Sequence, residues 1–75
     1  MKSTAIETIL TELTEDYDFD GMINVYTANR MYTLNVDANE SGDDFRVIHD
    51  DNILCIKTEQ GTQWIDCDCI TSIEI

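Results

Sequence analysis

At Gly21 the hydrophobic period of the chain changes from 3.6 residues to 2. That change limits the fold to a helix followed by strands. Before it, Ala5, Ile6, Ile9, Leu10 and Leu13 fall on one apolar stripe at helical spacing. Thr4-Ala5-Ile6-Glu7 has the spacing of a capping box, with the Thr4 hydroxyl accepting from the Glu7 amide and Glu7 reaching back. Glu12, Glu15 and Asp16 lie at the end where the helix dipole is negative and weaken the last turn. The helix is therefore predicted over residues 4–15. After Gly21, Ile23 and Val25 alternate with Asn24 and Tyr26. Ala28-Asn29-Arg30 turns the chain, and Tyr32, Leu34 and Val36 alternate with Thr33 and Asn35. This pattern predicts a hairpin with one buried face.

Residues 37–44 (DANESGDD) are a turn-rich connection. Phe45, Val47 and His49 begin a further strand, which Asp50-Asp51-Asn52 breaks. A strand over 53–58, a turn at Glu59-Gln60-Gly61, a strand over 62–67, a turn at 68–70 and a last strand over 72–75 complete the chain. The fold class is α+β: an N-terminal helix, then a small, strongly bent antiparallel sheet or barrel of five to six strands over 22–75. With 75 residues the chain is one domain. A domain this small buries only about 60% of the surface its unfolded chain exposes, so a homo-oligomer is a natural source of extra stability.

Sixteen acidic residues face four basic ones, for a net charge of −12. Such a chain is repelled by nucleic acids and anionic membranes, which disfavours direct nucleic-acid binding and turns attention to basic protein surfaces or cations. The three cysteines, Cys55, Cys67 and Cys69, are odd in number and form no Cys-x-x-Cys pair. Together with the absence of an apolar leader they predict a reducing, cytoplasmic setting. No apolar run is long enough to span a membrane as a helix.

Two stretches resemble the Sm/Hfq-like family. Residues 25–36 (VYTANRMYTLNV) are similar to its first motif, a strand, an Asn-centred turn and a second strand. Residues 53–65 (ILCIKTEQGTQWI), followed by 70–75 (ITSIEI), are similar to its second half, a hairpin, a short turn and a closing strand. The resemblance implies an N-terminal helix over a five-stranded, strongly bent SH3-type barrel, and ring assembly through strand edges at 45–48 and 72–75. It also implies binding of RNA or a small nucleotide. The family's turn carries Asn-Gly where this chain has Asn29-Arg30. Bacterial members place a Lys-His pair before the last strand, and the matching positions here are Cys67 and Asp68. A cation pair suited to RNA is thus replaced by a thiol and an anion.

Among candidate chemical sites, Asp16-Tyr17-Asp18-Phe19-Asp20-Gly21 matches the first half of an EF-hand calcium loop. Position 12 of that loop needs a bidentate glutamate but is Thr27, so only weak calcium binding through Asp16, Asp18 and Asp20 is expected. Cys67 and Cys69, with Cys55 and His49, supply zinc-ligand types at an unusual spacing. Cys55 lies in an apolar run and reads as a core residue. His49, beside Asp50 and Asp51, and the scattered serines Ser41 and Ser72 form no catalytic constellation, so no enzyme activity and no cofactor are expected.

The acid distribution is the strongest functional signal. Glu12, Glu15, Asp16, Asp18 and Asp20 form one group; Asp37, Glu40, Asp43, Asp44, Asp50 and Asp51 form a second, interrupted by Arg46 alone. Carboxylates on alternate strand positions stand about 6.5–7 Å apart, close to the spacing of neighbouring phosphates. These eleven residues are the expected partner-binding surface. The expected function is a non-enzymatic nucleic-acid mimic that fills the basic groove of a nucleic-acid-binding enzyme. By size and charge the chain is similar to the anti-CRISPR and anti-restriction inhibitors of phages and mobile elements. The alternatives are an Sm-like ring binding RNA or a small nucleotide, and a weak calcium-binding module.

Overall fold

The computed structural model describes residues 1–15, 21–36 and 45–75. Helix α1 runs Ser3–Thr14, one residue earlier at each end than the periodicity predicts. Its stripe is narrower than expected. Ile6 and Leu10 are fully buried, Ile9 and Leu13 are half-buried, and Ala5 is exposed. The predicted capping box does not form: Lys2 is the N-cap residue and no side chain caps the helix. Glu7, which the box required to reach back, points instead across to another element.

Among the described residues six strands follow: β1 (Gly21–Thr27), β2 (Met31–Val36), β3 (Phe45–Ile48), β4 (Ile53–Thr58), β5 (Gly61–Asp66) and β6 (Ile70–Glu74). They form two three-stranded antiparallel sheets, ordered β2-β1-β6 and β3-β4-β5. Alternation dictates which side chains point inward. In the first sheet Ile23, Val25, Leu34, Val36 and Ile70 enter the core, and in the second Leu54, Ile56 and Ile65. Ile6 and Leu10 complete it from α1, which packs on β3. β2 approaches β4, so one core lies between the sheets and the helix.

The turns explain why the strands stop where they do. At Ala28–Arg30, the Thr27 amide and hydroxyl both donate to the Arg30 carbonyl, at 2.8 and 3.0 Å. Between β3 and β4, Asn52 adopts φ 56°, a left-handed conformation that asparagine tolerates better than most residues. Its amide donates to the His49 carbonyl at 3.2 Å, closing the turn. His49 therefore belongs to the turn and not to the strand. Gly61, at φ 108°, opens β5 where a side chain would be strained. Residues 67–69 form a 3-10 turn between β5 and β6. The Asp66 carboxylate caps it by accepting from the Asp68 amide at 2.9 Å.

Candidate interaction surfaces

Four of the eleven expected partner-binding carboxylates fall within the described residues: Glu12, Glu15, Asp50 and Asp51, all exposed. Asp16, Asp18, Asp20, Asp37, Glu40, Asp43 and Asp44 lie outside them, and with them the candidate calcium loop. None of the four stands on a strand, so the alternate-strand spacing expected for the surface does not describe them. Glu12 and Glu15 are three residues apart on a helix, which places their Cβ atoms about 5–6 Å apart. Asp50 and Asp51 are consecutive in the β3–β4 turn.

The helix and the turn meet through His49. Its Nε2 lies 3.0 Å from Glu7 Oε2, and its Nδ1 lies 2.9 Å from Ser3 Oγ. With Nε2 carrying the proton, the ring donates to Glu7 and accepts the Ser3 hydroxyl at Nδ1. This clamp sets Asp50 and Asp51 beside α1. Glu7 and Glu15 are about 12 Å apart along the helix axis, and Glu12 lies about 140° around the helix from Glu7, so the carboxylates spread around the exposed side of α1. Glu7 was assigned to a cap in the sequence, where no local signal pairs it with a histidine 42 residues away.

Carboxylate, imidazole and hydroxyl follow in the order of an activated serine. The His49 and Glu7 side chains are nevertheless 42% and 51% exposed, so water screens the polarisation that such a chain needs.

The cysteines are redistributed relative to expectation. Leu54 and Ile56 take the inward positions of β4, so Cys55 faces outward and is half-buried. Cys67, in the 3-10 turn, is the one in the core, and Cys69 is exposed. A strand would have sent both thiols to one face; the 3-10 turn separates them. Among the described residues no group of three His, Cys, Asp or Glu side chains converges on a metal position. Burial raises the Cys67 thiol pKa, with a further push from Asp66 and Asp68, against the lowering effect of the Met1 ammonium. That ammonium donates to the carbonyls of Cys67 and Ile70, at 2.9 and 3.0 Å.

Two open grooves flank the first sheet. One, of about 330 Å³, is lined by Met22, Met31, Thr33 and Asn35 of the β1–β2 hairpin and by Thr58, Glu59 and Gln60. The other, of about 440 Å³, runs between the Ala28–Arg30 turn and the end of β5, with Trp64, Asp66 and Asp68 on one side. Trp64 is 63% exposed, and Ile65 beside it is buried, the opposite-facing pair expected from the sequence. Among the described residues no helix is long and apolar enough to cross a membrane. No protein-family model, curated protein or solved structure matches the chain.

Proposed function

We propose that the chain is a non-enzymatic acidic binding protein whose carboxylates occupy a basic, nucleic-acid-binding groove on a partner protein, in the manner of phage-encoded inhibitors of host nucleases. The observation that carries this reading is the His49–Glu7 contact at 3.0 Å. It holds Glu7 of the helix against the turn that carries Asp50 and Asp51, carboxylates distant from it in sequence. Those carboxylates remain hydrated, so docking gains from charge complementarity without a buried unpaired ion. The Ser3–His49–Glu7 chain, lying in open water, serves as a clamp in this reading and does no catalysis.

The test is displacement. A panel of purified nucleases and DNA-binding proteins is loaded with labelled duplex DNA and titrated with the protein. Release from at least one of them, weakening as ionic strength rises from about 0.05 to about 0.5 M, is expected. Release from none, or release indifferent to salt, contradicts the reading.

A second reading, the Sm-like ring, is favoured by one observation. The resemblance implies a five-stranded barrel, whereas the described residues form six strands in two three-stranded sheets; what favours ring assembly is that β3 and β6, the edges it would use, are terminal in their sheets. Terminal strands offer unpaired backbone groups to a neighbouring subunit. Light scattering on a sizing column distinguishes a ring from a smaller species, and a gel shift tests RNA binding. With Cys67 buried and Asp68 exposed where the family has Lys and His, a ring formed this way is expected to leave uridine-rich RNA unbound.

A further inference from the structure

We infer that Trp64, Asp66 and Asp68 form a seat for an arginine side chain on the basic partner. The inference rests on the reading that the partner is basic, and it adds a specific contact to a surface otherwise described by charge alone.

The seat follows from the alternation of β5. Thr62, Trp64 and Asp66 are exposed while Ile65 is buried, so the indole and the Asp66 carboxylate project from the same face of the strand. Alternate residues of a strand are about 6.5–7 Å apart, a span that a guanidinium stacked on the indole can bridge to reach the carboxylate. The carboxylate is already oriented: one oxygen accepts from the Asp68 amide at 2.9 Å, which leaves the other for a ligand. Asp68 is itself exposed at the same end of the groove. Across the groove, the Arg30 guanidinium lies 4.8 Å from the Tyr32 ring centroid, so that cation is placed on its own aromatic face. The groove thus sets two carboxylates against one guanidinium.

The other cations of this sheet fix where the occupant goes. Trp64 pairs with Cys55, and Arg46 pairs with Cys55 from the far side, two strand spacings or about 9.5 Å from Trp64. Lys57 is opposite Thr62. Lys57 puts positive charge at the Thr62 end and Asp66 and Asp68 put negative charge at the 3-10 turn, while Arg46 lies level with Trp64, so an incoming cation is drawn to the Asp66 side of the indole. A planar, forked guanidinium matches an aromatic face next to a fixed carboxylate better than an ammonium does. The same carboxylates repel a nucleotide phosphate that would accompany a base stacked on Trp64.

Trp64 is the only tryptophan of the chain, so its emission reports on the seat alone. A labelled oligo-arginine peptide and an oligolysine peptide of equal length are titrated, with anisotropy giving affinity and tryptophan emission giving occupancy. The oligo-arginine peptide is expected to bind more tightly and to change Trp64 emission saturably. Asp66→Asn, which keeps the cap oxygen and removes the charge, is expected to weaken it about fivefold or more. Trp64→Thr, with folding checked by circular dichroism, should abolish the preference for arginine over lysine. Glu12→Lys combined with Asp51→Lys should weaken both peptides alike and leave the saturating emission change intact. Tight binding with no emission change, or equal affinity for the two peptides, overturns the seat and leaves the acidic-surface reading standing. An emission change with oligothymidylate in place of peptide also overturns it. Failure of both peptides to bind at low salt overturns the seat and the reading together.

Discussion

Cys67 shows how a single residue in this chain records its surroundings. Its side chain has no exposed surface and its pKa is raised, first by burial and then by Asp66. A raised thiol pKa means that the fold favours the neutral form. The corresponding stability is fully present below the pKa of the unfolded thiol and is lost as pH rises through the higher folded value. Urea unfolding followed from neutral pH into the alkaline range should show this loss, and Cys67→Ala should flatten it. A loss equally steep in the variant would assign it to other groups. Thiol labelling gives an independent check. Cys69 should react in the native protein and Cys67 only as fast as the chain opens, because the buried thiol meets neither reagent nor water. The sequence read Cys55 as the core cysteine because it sits in an apolar run. Period 2 explains the error: within Ile53–Ile56, Leu54 and Ile56 take the core side and Cys55 the other.

For the elements, the question is what holds α1 to the sheets. Two contacts compete for that role: the apolar residues Ile6 and Leu10, and the Ser3–His49–Glu7 clamp. An ion pair this exposed contributes no more than about 1 kcal/mol, so Glu7→Ala should change stability by about that much or less. Leu10→Ala removes a fully buried side chain and should cost about 2–5 kcal/mol. That is a large share of the stability of so small a domain. Denaturant midpoints compare the two directly, and a Glu7→Ala loss as large as that of Leu10→Ala would reverse the assignment. The clamp then orients the helix and turn surfaces more than it stabilises them.

The helix, the strands and their turns were legible in the sequence because each is set by local spacing and turn chemistry: Gly61 at φ 108°, and the Ala28–Arg30 reversal between β1 and β2. Two features were not. The capping box does not form, and Glu7 pairs instead with His49, a partner that only the tertiary fold supplies. The sequence places Cys67 in the strand and the turn at 68–70, but the Asp66 cap starts the 3-10 turn one residue earlier and the last strand already begins at Ile70.

For the molecule as a whole, the sequence supplies the charge but not its layout. A net charge of −12 is visible in the composition. That the turn carrying Asp50 and Asp51 lies against α1 depends on α1 packing on β3 and on the His49 clamp. The groove beside Trp64 was likewise invisible, since it is built from the β1–β2 turn and the end of β5, over thirty residues apart in the chain. If the acidity served solubility alone, carboxylates anywhere on the surface would be interchangeable in binding. If it serves a docking surface, position matters. The most direct measurement is the affinity for a DNA-displaced partner of two variants with the same change in net charge: Glu12→Lys with Asp51→Lys, and Glu59→Lys with Glu74→Lys. All four residues are exposed. The docking account predicts a loss of about tenfold or more for the first variant and little change for the second. Equal losses would contradict it.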